Sequence, residues 1–163
     1  MSIDLRRRRI AGLLVAAPAA LAIVSRTAHA QGVPAVEVYK SPTCGCCNDW
    51  IKHLQANGFS NIKVFDAGNV KKRAEVGMSL RYGSCHTALI DGYVIEGHVA
   101  AREIKRLLKE RPKALGLAVP GMPLGSPGME VDDGRVDRYD VMLVQKDESA
   151  TVYATYERKA PRA

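Results

Sequence analysis

The stretch Ala35-Val36-Glu37-Val38-Tyr39-Lys40-Ser41-Pro42-Thr43-Cys44-Gly45-Cys46-Cys47-Asn48-Asp49-Trp50 decides how the chain is read. Residues 35–40 alternate and are rich in β-formers, which predicts a strand. Ser41-Pro42-Thr43 breaks it. A helix is expected to begin within the cysteine turn and to run through Trp50, Ile51 and Leu54, which share one face. Three of the four cysteines therefore fall where a strand turns into a helix. Three thiolates in one turn would repel strongly. At about 4 Å and an effective dielectric of about 20, each pair costs roughly 4 kcal/mol. Such a cluster must be protonated, oxidised or bound to a cation.

Working outward, Asn57-Gly58 is a helix stop, and 61–65 forms a second strand. A short helix is expected over about 69–76, a loop at Tyr82-Gly83-Ser84 and a third strand over 87–90. Asp91-Gly92 is a two-residue hairpin turn into a fourth strand, 93–96. Residues 100–110 form an amphipathic helix with Ile104, Leu107 and Leu108 facing inward, ended by Arg111-Pro112. The order β-α-β-α-β-β-α predicts a thioredoxin-like α/β core. The Gly/Pro-rich stretch 119–129 follows without periodicity. Residues 138–145 and 151–157 then alternate as a β-hairpin appended to the core. In a thioredoxin-like fold a cis-proline faces the cysteine turn just before the third strand. Here that place is held by Ser84-Cys85-His86-Thr87, so Cys85 is expected to lie against Cys44, Cys46 and Cys47.

The first thirty residues read as an export signal peptide. Arg6 to Arg9 form a basic run, residues 10–24 are apolar, and Ala28-His29-Ala30 is a small-x-small cleavage site. The apolar run is too short for a membrane span, so the mature chain, 31–163, is expected to carry none. The route, general secretion or twin-arginine, is left open. Of the net charge of +7, the leader holds five Arg against one Asp. The mature chain, read as one domain in the periplasm, is only mildly basic. It lacks a basic-aromatic stripe, which argues against a nucleic-acid partner. Lys71-Lys72-Arg73 reads as a solvated helix face. There is no phosphate-binding glycine pattern.

Export permits disulfides, but three cysteines in one turn cross-link almost nothing. Cys44 and Cys47 make a C-x-x-C at a helix start, where the dipole favours a thiolate. That admits thiol–disulfide exchange, with Cys44 as nucleophile and Cys47 as resolving thiol, although Cys46 would compete. The other reading is metal binding by Cys44, Cys46, Cys47 and Cys85. Zinc, an iron–sulfur cluster and copper all accept four thiolates. Adjacent cysteines serve best when each bridges different ions, which favours several Cu(I) in a thiolate-bridged cluster. His86 is the leading non-sulfur ligand candidate, and Met122 and Met129 offer thioethers from the Gly/Pro loop. His98 reads first as a cap or surface residue, with metal binding as the lesser alternative, His53 as structural, and Met78 and Trp50 as packing.

Four runs carry a resemblance to a known family. They are 39–50, 84–88, 91–99 and 121–130, with Cys44-Gly45-Cys46-Cys47, Ser84-Cys85-His86-Thr87, Gly97-His98-Val99 and Gly128-Met129 among them. In these runs the chain resembles the CopG-like family, over about 36–144. The resemblance implies an exported, thioredoxin-like, metal-binding protein of copper resistance, with copper held by Cys44, Cys46, Cys47 and Cys85. Copper ions are then the cargo, exchanged with periplasmic copper carriers or an exporter. Ala100 departs from the proline expected after Gly97-His98-Val99. Neither the residues nor the resemblance decides between storage, carriage and redox chemistry on copper, so an enzymatic activity stays open.

Overall fold

A computed structural model describes residues 34–161; the leader expected over 1–30 lies outside them. The elements run β1 (Val36–Lys40), α1 (Gly45–Ala56), β2 (Ile62–Phe65), α2 (Val70–Glu75), a one-turn 3-10 helix (Leu80–Tyr82), β3 (His86–Ile90), β4 (Tyr93–Glu96), α3 (Ala101–Glu110), β5 (Gly116–Ala118), β6 (Tyr139–Val144) and β7 (Ala150–Tyr156). All seven strands form one mixed sheet in the order β2-β1-β3-β4-β5-β6-β7. β1 pairs with β2 in parallel, and β3 is antiparallel to both β1 and β4. The described residues include no helix long and apolar enough to cross a membrane.

The two faces of the sheet are covered differently. Val36, Val38, Ala88, Ile90, Ile95 and Leu117 pack with Trp50, Leu54, Ile104 and Leu107 of α1 and α3. Val94, Ala118 and Val144, on the opposite face, pack with Met78 and Tyr82. Alternation along β4 and β5 sends Val94 and Ala118 one way and Ile95 and Leu117 the other.

Strand β5 is an element the sequence did not announce. Three residues are too short for a readable period. It nevertheless joins the core to the hairpin, pairing in parallel with β4 and antiparallel with β6. Gly116 permits this. A Cβ there would fall 1.8 Å from the Val94 carbonyl oxygen, so only glycine lets the two backbones approach. The hairpin β6–β7 is thus the continuation of the core sheet.

Helix α3 starts without a side-chain cap of its own, because its N-cap is Ala100. His53, from α1, supplies the missing acceptor: its Nε2 receives the Ala101 N–H at 3.0 Å. The structural role read for His53 is therefore a cap across two helices. That bond needs a neutral imidazole. Burial lowers the His53 pKa from its ordinary value, against a smaller opposing pull from Glu130. The neutral form is bound more tightly in the folded state, so the cap is intact above the unfolded value of about 6.5 and weakens as pH falls below it. We predict that His53→Ala lowers stability by about 1 kcal/mol at pH 8, the usual worth of a cap. The gap to the parent should narrow in denaturant titrations repeated at pH 5. An unchanged gap would mean the cap contributes nothing.

Candidate metal centre

Three of the sulfurs come from the β1–α1 turn and one from the loop entering β3. Cys44 is the N-cap of α1, extended at φ −77° and ψ 97°, and its side chain makes no capping bond. Cys46 and Cys47 lie in the first turn. The turn before them closes through the Cys44 N–H to the Ser41 carbonyl. Lys40, almost fully buried, donates to the same carbonyl and pairs with Asp66 at 2.7 Å.

The fourth sulfur is placed by a buried polar network. Glu96, wholly buried, accepts from Arg73 Nε at 2.8 Å, from the Ser84 N–H at 2.8 Å and from the Thr87 hydroxyl at 2.6 Å. Arg73 and Asn69 donate to the Ser84 carbonyl at 2.6 and 3.1 Å. Both backbone polar groups of Ser84 are therefore tied, one residue before Cys85. Burial raises the Glu96 carboxyl above its ordinary value, and the three donors and the Arg73 charge oppose it. Arg73 corrects the reading of Lys71-Lys72-Arg73 as a solvated face. Lys71 and Lys72 do pair with Glu75 near the surface, but Arg73 turns inward to the carboxylate.

With both loops set, the sulfurs converge. All four lie within 4.8 Å of one another. Cys44 and Cys47 are joined as a disulfide, and Cys46 and Cys85 are free thiols. Cys46 Sγ lies 3.5 Å from Cys44 and 3.9 Å from Cys85, and Cys85 Sγ lies 3.4 Å from Cys47. Two thiolates on one tetrahedral ion, with metal–sulfur bonds of about 2.3 Å, sit about 3.8 Å apart. The spacing therefore suits a thiolate site once the disulfide is reduced.

The same spacing bears on exchange within the cluster. Thiolate attack on a disulfide runs along the S–S axis. With a bond of about 2.05 Å, an aligned Cys85 attacking Cys47 would stand about 5.4 Å from Cys44. The observed limit is 4.8 Å, so Cys85 is off the axis, and the same arithmetic removes Cys46 as an attacker of Cys44. Cys85 is also a poor nucleophile: burial first, then the Cys46 thiol beside it, push its pKa up to about 12.

The histidines require a correction. His98 is neither a surface residue nor a cap. It is wholly buried, with Nε2 3.1 Å from Cys85 Sγ and Nδ1 2.8 Å from the Pro127 carbonyl oxygen. A carbonyl only accepts, so Nδ1 carries the proton and Nε2 turns a lone pair to the sulfur. His86, also wholly buried, brings Nδ1 to 3.4 Å of the same sulfur, and its Nε2 has no partner. Burial first, then His98, press its pKa down to about 3, so the ring is neutral. Cys85, His86 and His98 thus form a second donor group sharing one sulfur with the first. Trp50 packs on the His86 ring at 4.2 Å between centroids and donates to the Val99 carbonyl.

The loop carrying the two methionines is fastened to this site. Gly128 lies so close to α1 that a Cβ would meet the Cys46 carbonyl oxygen at 2.6 Å and Trp50 N at 2.7 Å, with φ at +85°. Met129 is half-buried and Met122 is exposed. Met78, read as packing, is buried against Tyr82.

Fold and site together define a mixed α/β protein with a cysteine–histidine cluster whose donor atoms could hold a metal ion. The family described as "Protein of unknown function, DUF411" matches residues 82–129. Two solved structures, described as copper resistance protein CopG, form 1 and form 2, are 44% and 46% identical to the chain. Each match covers 77% of this chain and 99% of the other, at a TM-score of 0.71. No curated protein matches. The chain belongs to the CopG-like family.

The Glu96 network predicts an asymmetry. Glu96→Ala leaves the buried Arg73 guanidinium unpaired and should cost about 3–5 kcal/mol in urea denaturation. Thr87→Val, which removes one donor and leaves the ion pair, should cost about 1 kcal/mol. Equal losses would show that the pair is not what holds the loop.

Proposed function

We propose that the chain is an exported copper-handling protein of the periplasm that holds Cu(I) through Cys44, Cys46, Cys47 and Cys85. One observation carries the reading: four sulfurs from two separate loops meet within 4.8 Å, beside a helix start. The likeness to structures described as copper resistance proteins supports it. Strand order β2-β1-β3-β4, with α1 following β1 and α3 following β4, supports a thioredoxin-like core.

The Cys44–Cys47 disulfide sets the chemistry of loading. Two electrons and two protons convert it to thiols, and a dithiol donor would supply them. Cu(I) then displaces protons from the four sulfurs. Metal binding removes the Cys85 proton that burial otherwise retains. Soft, low-coordinate Cu(I) accepts bridging thiolates, so more than one copper per chain is expected. His86 flanks the cluster, and Met122 and Met129, on the loop that Pro127 and Gly128 fasten to the site, would offer thioethers as further ligands. Reoxidation by an external disulfide, which takes up the two electrons and leaves as a dithiol, removes two ligands and releases metal. Periplasmic copper carriers or an exporter would be donor and acceptor, and residues 1–30 would direct export.

A second reading, thiol–disulfide exchange by Cys44 and Cys47, draws on the disulfide at the helix start. The C-x-C-C crowding and the lack of a proline in Ser84-Cys85-His86 entering β3 weigh against it.

The test is Cu(I) titration of the anaerobically reduced mature protein. We expect several coppers per chain, with all four thiols protected from alkylation. Cys85→Ser should weaken copper binding by at least about 10–100-fold, the cost of losing even a supporting residue, and still form the Cys44–Cys47 disulfide. Zero retained copper, with fast reduction of a protein disulfide that ignores Cys85, would instead establish the oxidoreductase.

A further inference from the structure

The copper reading uses the sulfurs in their reduced state, but the structure contains a disulfide. In that state two of the four sulfurs are spent. Cys85, His86 and His98 are not affected by it. Their donor atoms form a group of their own, within 4.8 Å of one another. With metal–sulfur and metal–nitrogen bonds of about 2.3 and 2.0 Å, a thiolate and an imidazole on one tetrahedral ion stand about 3.5 Å apart. Cys85 Sγ is 3.4 Å from His86 Nδ1 and 3.1 Å from His98 Nε2. The free thiol of Cys46, 3.9 Å from Cys85 Sγ, stands next to them as a fourth donor.

Three features prepare this group for an ion. The Pro127 carbonyl fixes the His98 tautomer with its lone pair toward Cys85, the arrangement by which metal-binding imidazoles are aimed from behind. His86 is wholly buried, with its Nδ1 turned to the Cys85 sulfur at 3.4 Å. Cys85 is held at both sides, by the Glu96 bonds to Ser84 and Thr87. A mixed sulfur–imidazole set is harder than four thiolates and suits a divalent borderline cation such as Zn(II).

We propose that the disulfide-closed protein binds one divalent borderline cation through Cys85, His86 and His98, so that oxidation of Cys44 and Cys47 exchanges a four-thiolate site for a mixed one rather than leaving the centre without ligands. The ion displaces the Cys85 proton to solvent and makes one metal–sulfur and two metal–nitrogen bonds. No electron moves in this step. The zinc site goes beyond the copper reading and does not depend on it; only the exchange of sites rests on that reading.

The experiment starts from the oxidised mature protein, with two free thiols confirmed by count, and titrates it with Zn(II) against a chromogenic chelator. One zinc per chain is expected. In the same protein, zinc should shift the side-chain nitrogen resonances of His86 and His98 and leave His53 in place. Co(II) should give a thiolate charge-transfer band with tetrahedral d–d bands. His98→Gln should lower zinc affinity at least about 100-fold, more than supporting residues cost. The double variant Cys44→Ser/Cys47→Ser should still bind one zinc while losing the multi-copper site. No zinc retained by the oxidised parent, or zinc that leaves both histidine resonances unmoved, overturns the proposal whether or not the variants fold. Failure of reduced parent protein to bind Cu(I), with zinc still held by the oxidised form, would sink the copper reading alone.

Discussion

A single carboxylate holds the centre in place. Glu96 ends β4 with no exposed surface, and its oxygens take the Ser84 N–H, the Thr87 hydroxyl and the Arg73 guanidinium. An ionised group so deep is tolerated only when every lone pair is used and a countercharge is adjacent. Meeting that demand orders everything nearby. Arg73 must turn in from α2, which brings its second guanidinium nitrogen onto the Ser84 carbonyl. Asn69 follows, spanning Ser84 and Thr87. The loop entering β3 then has no freedom at the residues flanking Cys85 and His86. Replacement by apolar residues of equal volume often matches the stability of a buried ion pair. It would not tie Ser84, and the position of Cys85 would then rest on packing alone.

Against that fixed loop, the β1–α1 turn brings chemistry that is adjustable. Cys44 and Cys47 share a disulfide, and Cys46 and Cys85 stay thiols. Burial raises the Cys85 pKa and lowers that of His86, which keeps both neutral. A cation entering the centre gains the ligands at the cost of releasing a thiol proton, which makes affinity rise with pH. The same burial makes Cys85 a poor nucleophile. A thiol that remains protonated far above neutrality, and that lies off the disulfide axis, is poorly placed as an attacking group.

Much of this was legible in the chain. The alternation of β1, the break at Pro42 and the helix after it put three cysteines at a strand–helix junction, and the element order put Cys85 opposite them. Two things were missed for different reasons. β5 is too short to show a period, and its decisive residue, Gly116, matters through the absence of a side chain next to Val94. Arg73 sits in a run with Lys71 and Lys72, where composition reads as a wet surface; only its buried partner, distant in sequence, distinguishes it.

His98 is different, because its position was readable. The Asp91-Gly92 turn fixes the register of β3 and β4: Ile90 faces Tyr93, and Thr87 faces Glu96. The two-residue turn takes φ of +48° and +85° at its centre, as such turns require. Extending that ladder two steps beyond Thr87 and Glu96 sets Cys85 opposite His98. A histidine whose hairpin partner is a candidate ligand is a candidate itself, whatever its neighbours in sequence. The hairpin thus does for His98 what the helix start does for Cys44: backbone geometry, set by a few turn residues, delivers a donor to a point that no local pattern marks. The donors come from β1–α1, from the loop before β3 and from the end of β4, and the sheet brings these three together because β3 lies between the other two strands. A centre assembled this way depends on strand register. A one-residue slip in the hairpin would turn His98 to the other face and leave Cys85 with a single imidazole.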